Sequence, residues 1–333
     1  MKKTVLAIIV IVLLFLIISY FIPVRKLNEI IVPNSYTNII KATVLPRNWI
    51  KWNDDVKEAW QKDSSNCHFS VDSENNISTI DLPGQQFRII QNNFLLYQLA
   101  EIKNSHRSDF SMLLTIHVGS HKGSSGLNTL LTYGRMSRLL YQIFPFMDDS
   151  VFESKTIASL KSYLENPSRF YGFPIEMKLA TDSIFLTKTT LLKKTELFKK
   201  MPAIFNELDS FARTKKIANP FNKNISFKYL DHDSVSLYTG VNIDKKIQDD
   251  YLISCQELPT GQIMAVGHFE GHFSNRPELY KVMDQFLSDH QFIKSGVPFE
   301  KYLSPLPKSD SAMIKIELYY PLLNAIIPSA PNY

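Results

Sequence analysis

The chain has 333 residues, about twice the usual domain length, so two domains are the starting expectation. Hydrophobic residues make up 44% and charged residues 21%, with 11 Gly and 17 Pro, which excludes a disordered, collagen-like or coiled-coil chain. Two cysteines, Cys67 and Cys255, are too few for a disulfide scaffold or an all-cysteine zinc site, and a net charge of +5 spread along the chain gives no basic tract for nucleic acid.

Residues 5–22 are apolar except for Ser19 and Tyr20. As a helix this run reaches roughly 27 Å, enough to cross a hydrocarbon core. A cleaved signal peptide would have a shorter apolar region ending in small residues. Here Tyr20, Phe21, Ile22 and Pro23 close the run, so a retained single-pass anchor over 1–26 is expected, with the bilayer as partner of 5–22. Lys2 and Lys3 nearly balance Arg25 and Lys26. A very short basic N-terminal tail favours the cytoplasm, which puts the body on the extracytoplasmic side.

A short strand over 27–32 comes next, then a helix capped by Ser35, carried by Ile39, Ile40 and Val44, and stopped by Pro46. After Asn48, Trp49 and Trp52, strand-like runs occur at 86–90, 93–102, 111–118 and 127–133, the last two joined as a hairpin through 121–126. Apolar residues from Leu139 to Leu164 then recur at helical spacing, with Pro145 as a bend. Trp49 and Trp52 read as core packing at a helix end. The order strand, helix, antiparallel strands, long helix, with the pattern from Ile30 to Trp52, resembles the SRPBCC (START-like, polyketide-cyclase-like) superfamily. That resemblance implies a helix-grip fold holding a lipid or other hydrophobic ligand between sheet and helix, and carries over no catalytic residue.

Residues 170–325 contain an internal repeat. Pro202 and Pro277 open two runs 75 residues apart that share Asp209 and Asp284 and keep Ile204/Leu279, Phe205/Tyr280, Leu208/Met283 and Phe211/Phe286 on one helical face. Proline suits the first turn of each helix, where its missing N–H costs nothing. Downstream, Phe227, Lys228, Tyr229 and Leu230 match Glu300, Lys301, Tyr302 and Leu303. Each half therefore reads strand, helix, strand, strand: 183–190, the Pro202 helix, 225–230 and 235–243, then 262–269, the Pro277 helix, 299–303 and 312–322. Two such units around a pseudo-two-fold share one antiparallel sheet and leave a concave groove along the axis.

Within this repeat, residues 257–273, with Leu258, Pro259, Gly261, His268 and Gly271, resemble the opening of the second half of gyrase-inhibitor-like small-molecule-binding domains, which also serve as effector-binding domains. Gly296, Pro298, Glu300 and Tyr302, and the strand containing Gly240, are similar to further segments of that family. The resemblance implies a groove in which Glu300 meets cationic or polar ligand groups among aromatic walls. Glu300 and Tyr302 share one face of a strand, whereas Lys301 and Leu303 share the other. The expected ligand-binding residues are Glu300, Tyr302, Tyr238, Phe227 and Tyr320; the plainer alternatives are a surface-paired Glu300 and core aromatic rings.

His268 and His272 flank Phe-Glu-Gly on a strand, not the helical His-Glu-x-x-His order of zinc proteases, and no metal or other cofactor is expected. His117, His121 and His232 belong to polar hairpins or turns, and Lys193, Lys194, Lys199, Lys200, Lys215 and Lys216 to a solvated face. The expected fold class is α+β: a transmembrane helix over 1–26, a helix-grip domain over 27–168, a duplicated βαββ domain over 169–325 and a Pro-rich tail over 326–333. The expected function is membrane-anchored binding of an amphipathic or cationic organic molecule for sensing or sequestration. The enzymatic alternative is a hydrolase or cyclase with Glu300 as general base.

Overall fold

In the computed structural model, the described residues are Val10, Ile11 and Leu14, then 25–32, 36–83, 85–93, 96–99, 103–104, 110–118, 125–133, 150–181, 184–217, 221–259 and 261–323. The chain divides into two compact units, Met1–Phe170 and Tyr171–Tyr333.

The first unit begins with β1 (Arg25–Val32) and α1 (Tyr36–Val44). Leu45 is extended ahead of Pro46, as steric conflict with the proline ring demands, and this ends α1. The short α2 (Trp49–Trp52) leads into α3 (Asp54–Lys62), where the Asn53 side chain accepts the Val56 N–H at 3.1 Å and Asp54 and Asp55 favour the positive helix start. Then follow β2 (His68–Asp72), β3 (Ile77–Leu82), β4 (Gln85–Asn93), β5 (Leu96–Leu99), β6 (Lys103–Asn104), β7 (Phe110–Val118), β8 (Ser125–Tyr133) and α4 (Ser150–Glu165). The sheet is ordered β1-β8-β7-β5-β4-β3-β2, with β6 paired to β4, and its described pairs are antiparallel. Trp49 and Trp52 lie 4.6 Å apart in a core with Phe87, Ile89, Leu160 and Tyr163. Their indole N–H groups donate to the Thr43 and Ala42 carbonyls at 2.7 and 2.9 Å, so both rings are fixed structural members of that core. The hairpin turn at 119–124, Pro145 and the tail lie outside the described residues.

The second unit contains β9 (Ile175–Leu179), β10 (Ile184–Lys193), α6 (Leu197–Thr214), β11 (Phe221–Tyr229), β12 (Ser234–Asn242), β13 (Ser254–Glu257), β14 (Ile263–His272), α7 (Pro277–Asp289), β15 (Phe299–Tyr302) and β16 (Met313–Pro321), after the short α5 (Pro167–Tyr171) that bridges the two units in sequence. Its antiparallel sheet is ordered β13-β10-β12-β11-β15-β16-β14-β9. Read outward from the β11–β15 seam, the order is mirrored: strand-helix-strand-strand occurs twice, and each copy adds one edge strand. Pro277 opens α7, but Pro202 lies inside α6, five residues beyond its start. The apolar stripe Leu197, Met201, Ile204, Phe205, Leu208 begins earlier than the proline suggests, and burying it outweighs one absent backbone hydrogen bond.

Two expectations are corrected. Among the described residues no helix is long and apolar enough to cross a membrane. The transmembrane helix over 5–22, and with it the single-pass localisation, the extracytoplasmic body and the bilayer partner, therefore lack support; of that run only Val10, Ile11 and Leu14 are described. The longest described helix, Leu197–Thr214, carries Lys199, Lys200, Glu207, Asp209 and Arg213 opposite its buried stripe. That pattern suits a core on one side and water on the other. The fold class is mixed α/β with large antiparallel sheets.

Candidate functional site

Alternation along β15 sends its side chains to opposite faces of the second sheet. Glu300 lies opposite Ile225 on β11 and Leu318 on β16, and Leu318 in turn lies opposite Gly267 on β14. A Cβ on Gly267 would meet Met283 and Leu279 of α7, so this row faces the helices. Phe299 and Lys301 face the other way.

Glu300 has no exposed surface. Oε1 accepts from Arg276 Nε and from the Tyr280 hydroxyl, both at 2.9 Å, and Oε2 accepts from the Tyr302 hydroxyl at 2.8 Å. Arg276 immediately precedes α7. Its Nη2 donates to the Tyr229 hydroxyl at 2.6 Å and its Nη1 to the Phe273 carbonyl at 3.3 Å. The guanidinium lies 3.7 Å from the Phe273 ring centre and 4.3 Å from that of Phe227, within cation–π range. Burial pushes the Glu300 carboxyl above its ordinary value, against the pull of Arg276, Tyr302 and Tyr280. Burial opposes the Arg276 charge too, yet the Glu300 carboxylate and the Tyr229 hydroxyl hold it above the usual guanidinium range. Burial, reinforced by the Glu300 charge, drives the Tyr280 and Tyr302 hydroxyls well above theirs, so both remain donors. A buried ion pair in which each guanidinium nitrogen and each carboxylate oxygen has a partner is a structural unit that tolerates no loss of one member.

The opposite face carries a groove of about 610 Å³. Phe185, Tyr238 and Phe299 supply its aromatic walls, and Thr187, Thr189 and Ser226 its hydroxyls. A neighbouring cavity of about 270 Å³ shares Phe185, Asn224, Leu258 and Phe299 with it and extends toward Asn242, Lys301 and Tyr319. Phe299 stacks parallel to Tyr319 at 5.1 Å and meets the Phe185 edge at 5.8 Å. At the rim, Lys178 pairs with Glu176 at 2.7 Å and Glu317 at 3.6 Å, and His268 Nε2 lies 2.6 Å from Glu176. No group of potential ligating side chains that could hold a metal ion occurs among the described residues.

The five expected site residues thus separate. Glu300, Tyr302 and Phe227 converge on Arg276 at the helix face. Tyr320 borders that cluster, its ring 6.4 Å from Tyr280. Tyr238 lies on the opposite face, half exposed, across from Ser226. Arg276, Phe273, Tyr229 and Tyr280 were missed. The repeat carried a signal for Arg276: the 75-residue offset matches it to Met201, just as Glu300 matches Phe227, so two apolar residues in the first copy become opposite charges in the second. For the groove, Phe299 and Asn224 had no such signal, because alternation gives a central strand two faces without telling which one is left open.

No protein-family model and no curated protein matches this chain. Among solved structures, it is similar to the C-terminal domain of EcmrR, with 15% identity and a TM-score of 0.37 over 46% of this chain and 99% of that one. It is similar to a hydrolase from Listeria innocua, with 13% identity and a TM-score of 0.34 over 45% of this chain and 91% of that one. It is also similar to the di-domain ARO/CYC StfQ from the steffimycin biosynthetic pathway, with 8% identity and a TM-score of 0.27 over 90% of this chain and 85% of that one.

Proposed function

We infer that the second unit is a small-molecule-binding domain whose ligand occupies the groove opposite its helices, a role that serves sensing or sequestration. The observation that carries this reading is the groove itself: about 610 Å³ of concave space with aromatic walls and a few polar groups, the usual make-up of an organic-ligand site. The first unit, on the same reading, is a helix-grip domain and the second a duplicated βαββ effector-binding domain. Thr189 faces the groove from an exposed position on β10, so Thr189→Trp narrows the space with little effect on the core. A thermal-shift screen of aromatic compounds on the full chain tests this. A true ligand at about 100 times its Kd stabilises the wild type by about 2.7 kcal/mol, and Thr189→Trp loses that gain. Equal stabilisation of both proteins by every hit overturns the reading.

A second reading, a cationic ligand held at Glu300, is favoured by one feature: Phe227, Phe273 and Glu300 already surround a guanidinium. A ligand cation would take the place of Arg276, so Arg276→Ala should raise the affinity for aromatic cations; unchanged affinity counts against it. The general-base alternative is less well supported, because both Glu300 carboxylate oxygens are occupied and the group is sealed from substrate.

A further inference from the structure

The two cavities on the open face differ chemically from the Glu300 chamber. Among the described residues no Asp or Glu lines either one, and those lining the larger carry no charge. The smaller has Lys178 and Lys301 in its wall. A cation entering the larger groove would lose its hydration without meeting a carboxylate among the described lining residues, which is unfavourable.

One wall group points to what would be accepted instead. Asn242 is only 2% exposed and lines the smaller cavity, on the same side of the sheet as its cross-strand partner Phe185. Its Nδ2 has no hydrogen-bond partner among the described residues. The orientation of the amide is fixed by its neighbour. Asn224 Nδ2 donates to Asn242 Oδ1 at 2.7 Å and also points at the Asn222 carbonyl at 3.4 Å. The Asn222 backbone carbonyl can only accept, so the Asn224 atom facing it is the nitrogen, and the Asn242 atom that this nitrogen meets is then the oxygen. The free end of Asn242 is therefore an N–H donor, buried in the wall of a cavity that Phe185, Phe299 and Tyr319 also line. Unfilled buried donors are uncommon in folded proteins and mark places where a bound group completes the bonding.

We propose that the groove binds a flat aromatic molecule carrying a hydrogen-bond acceptor, a carbonyl, amide or carboxylate oxygen, with the acceptor on Asn242 Nδ2 and the ring system against Phe185 and Phe299. This rests on the groove being the ligand site and adds the chemical class of the ligand. The class differs from the cationic one that the sequence resemblance implies.

The test is a fluorescence titration of the full chain with three matched probes: pyrene-1-carboxamide, pyrene-1-carboxylate and pyren-1-ylmethylammonium. The wild type should bind the carboxamide and the carboxylate about tenfold more tightly than the ammonium, the scale of one hydrogen bond. Asn242→Asp keeps the acceptor for Asn224 but removes the donor and adds a negative charge; it should reverse the order in favour of the ammonium. Asn242→Leu should abolish the preference without reversing it, and circular dichroism confirms that each variant is folded. Should Asn242→Asp misfold, perturbation of the Asn242 side-chain amide resonances by the carboxamide in the wild type decides the matter. Probes that bind in a Thr189→Trp-sensitive way but with equal Kd, or an order unchanged in Asn242→Asp, overturn the donor assignment and leave the groove reading standing. No binding by any probe, or binding insensitive to Thr189→Trp, overturns both.

Discussion

The two faces of the second unit's sheet are built from alternate residues of the same strands, yet they treat polarity in opposite ways. On the helix face, Glu300 and Arg276 are buried together and every strong hydrogen-bonding group of the pair has a partner. On the open face, aromatic rings and two lysines share the walls, and a buried amide donor has no partner among the described residues. Polar groups that satisfy one another make a rigid core, whereas a polar group left unsatisfied beside open space keeps its bonding capacity for whatever fills that space.

The largest expected effect lies on the helix face. Glu300→Gln leaves Arg276 charged, buried and without its counter-ion, and should cost about 3–5 kcal/mol in urea denaturation. The double variant Glu300→Gln with Arg276→Met should recover most of that loss, because removing both charges removes the desolvation cost. Glycines on the two faces sharpen the contrast. A Cβ at Gly267 would lie 2.7 Å from Met283 Sδ and 2.9 Å from Leu279 Cδ1, so Gly267→Ala should cost about 1–3 kcal/mol by overpacking. At Gly240, on the groove side, the nearest atom would be Thr187 Cγ2 at 3.4 Å, and Gly240→Ala should change stability by less than about 1 kcal/mol. Thermal melts of the two variants check the difference.

The mirrored order of the second unit was readable because the apolar stripes after Pro202 and Pro277 fix two helices and the Phe227 and Glu300 segments fix two central strands. The edge strands Ile175–Leu179 and Ser254–Glu257 escaped notice. Only Ile175 is buried in the first and no residue in the second, and short strands without a buried face lack alternation. In the first unit, β2 alternates over only five mostly exposed residues, and in β3 the buried Ser78 breaks the apolar face that Ile80 and Leu82 continue. Strand parity correctly grouped Glu300 with Tyr302, but it carried no information about Arg276, which approaches from the start of a helix. The asymmetry of the two copies is the available clue: Met201 and Phe227 in the first stand where Arg276 and Glu300 stand in the second.

A smaller effect concerns pH. His290 packs against Phe286 at 4.3 Å, its Nδ1 donates to the Phe286 carbonyl at 2.9 Å, and burial holds its imidazole below the ordinary value of 6.5. Because the folded state disfavours the proton, this stabilisation is present above pH 6.5 and is lost as pH falls through the folded-state value. Lys294 lies toward Asp284 on α7, and Asp289 is the acidic neighbour of His290 in sequence; Asp289 also accepts from Tyr171 at 3.1 Å. His290→Phe should flatten the fall in melting temperature between pH 7 and pH 5 compared with wild type; an unchanged slope would assign the acid sensitivity to the carboxylates instead. The smallest expected change is Thr189→Trp, within about 0.5 kcal/mol of wild type in stability although it removes ligand binding.

The most direct measurement places a ligand on one face or the other of a single strand. With Phe and Tyr rings selectively labelled, pyrene-1-carboxamide is titrated into the full chain and aromatic NMR signals are followed. Signals of Phe299 and Tyr319 should move while those of Tyr302 and Tyr280 stay in place. Movement of Tyr302 and Tyr280 with Phe299 and Tyr319 unaffected would locate the ligand beside Glu300 and contradict the account.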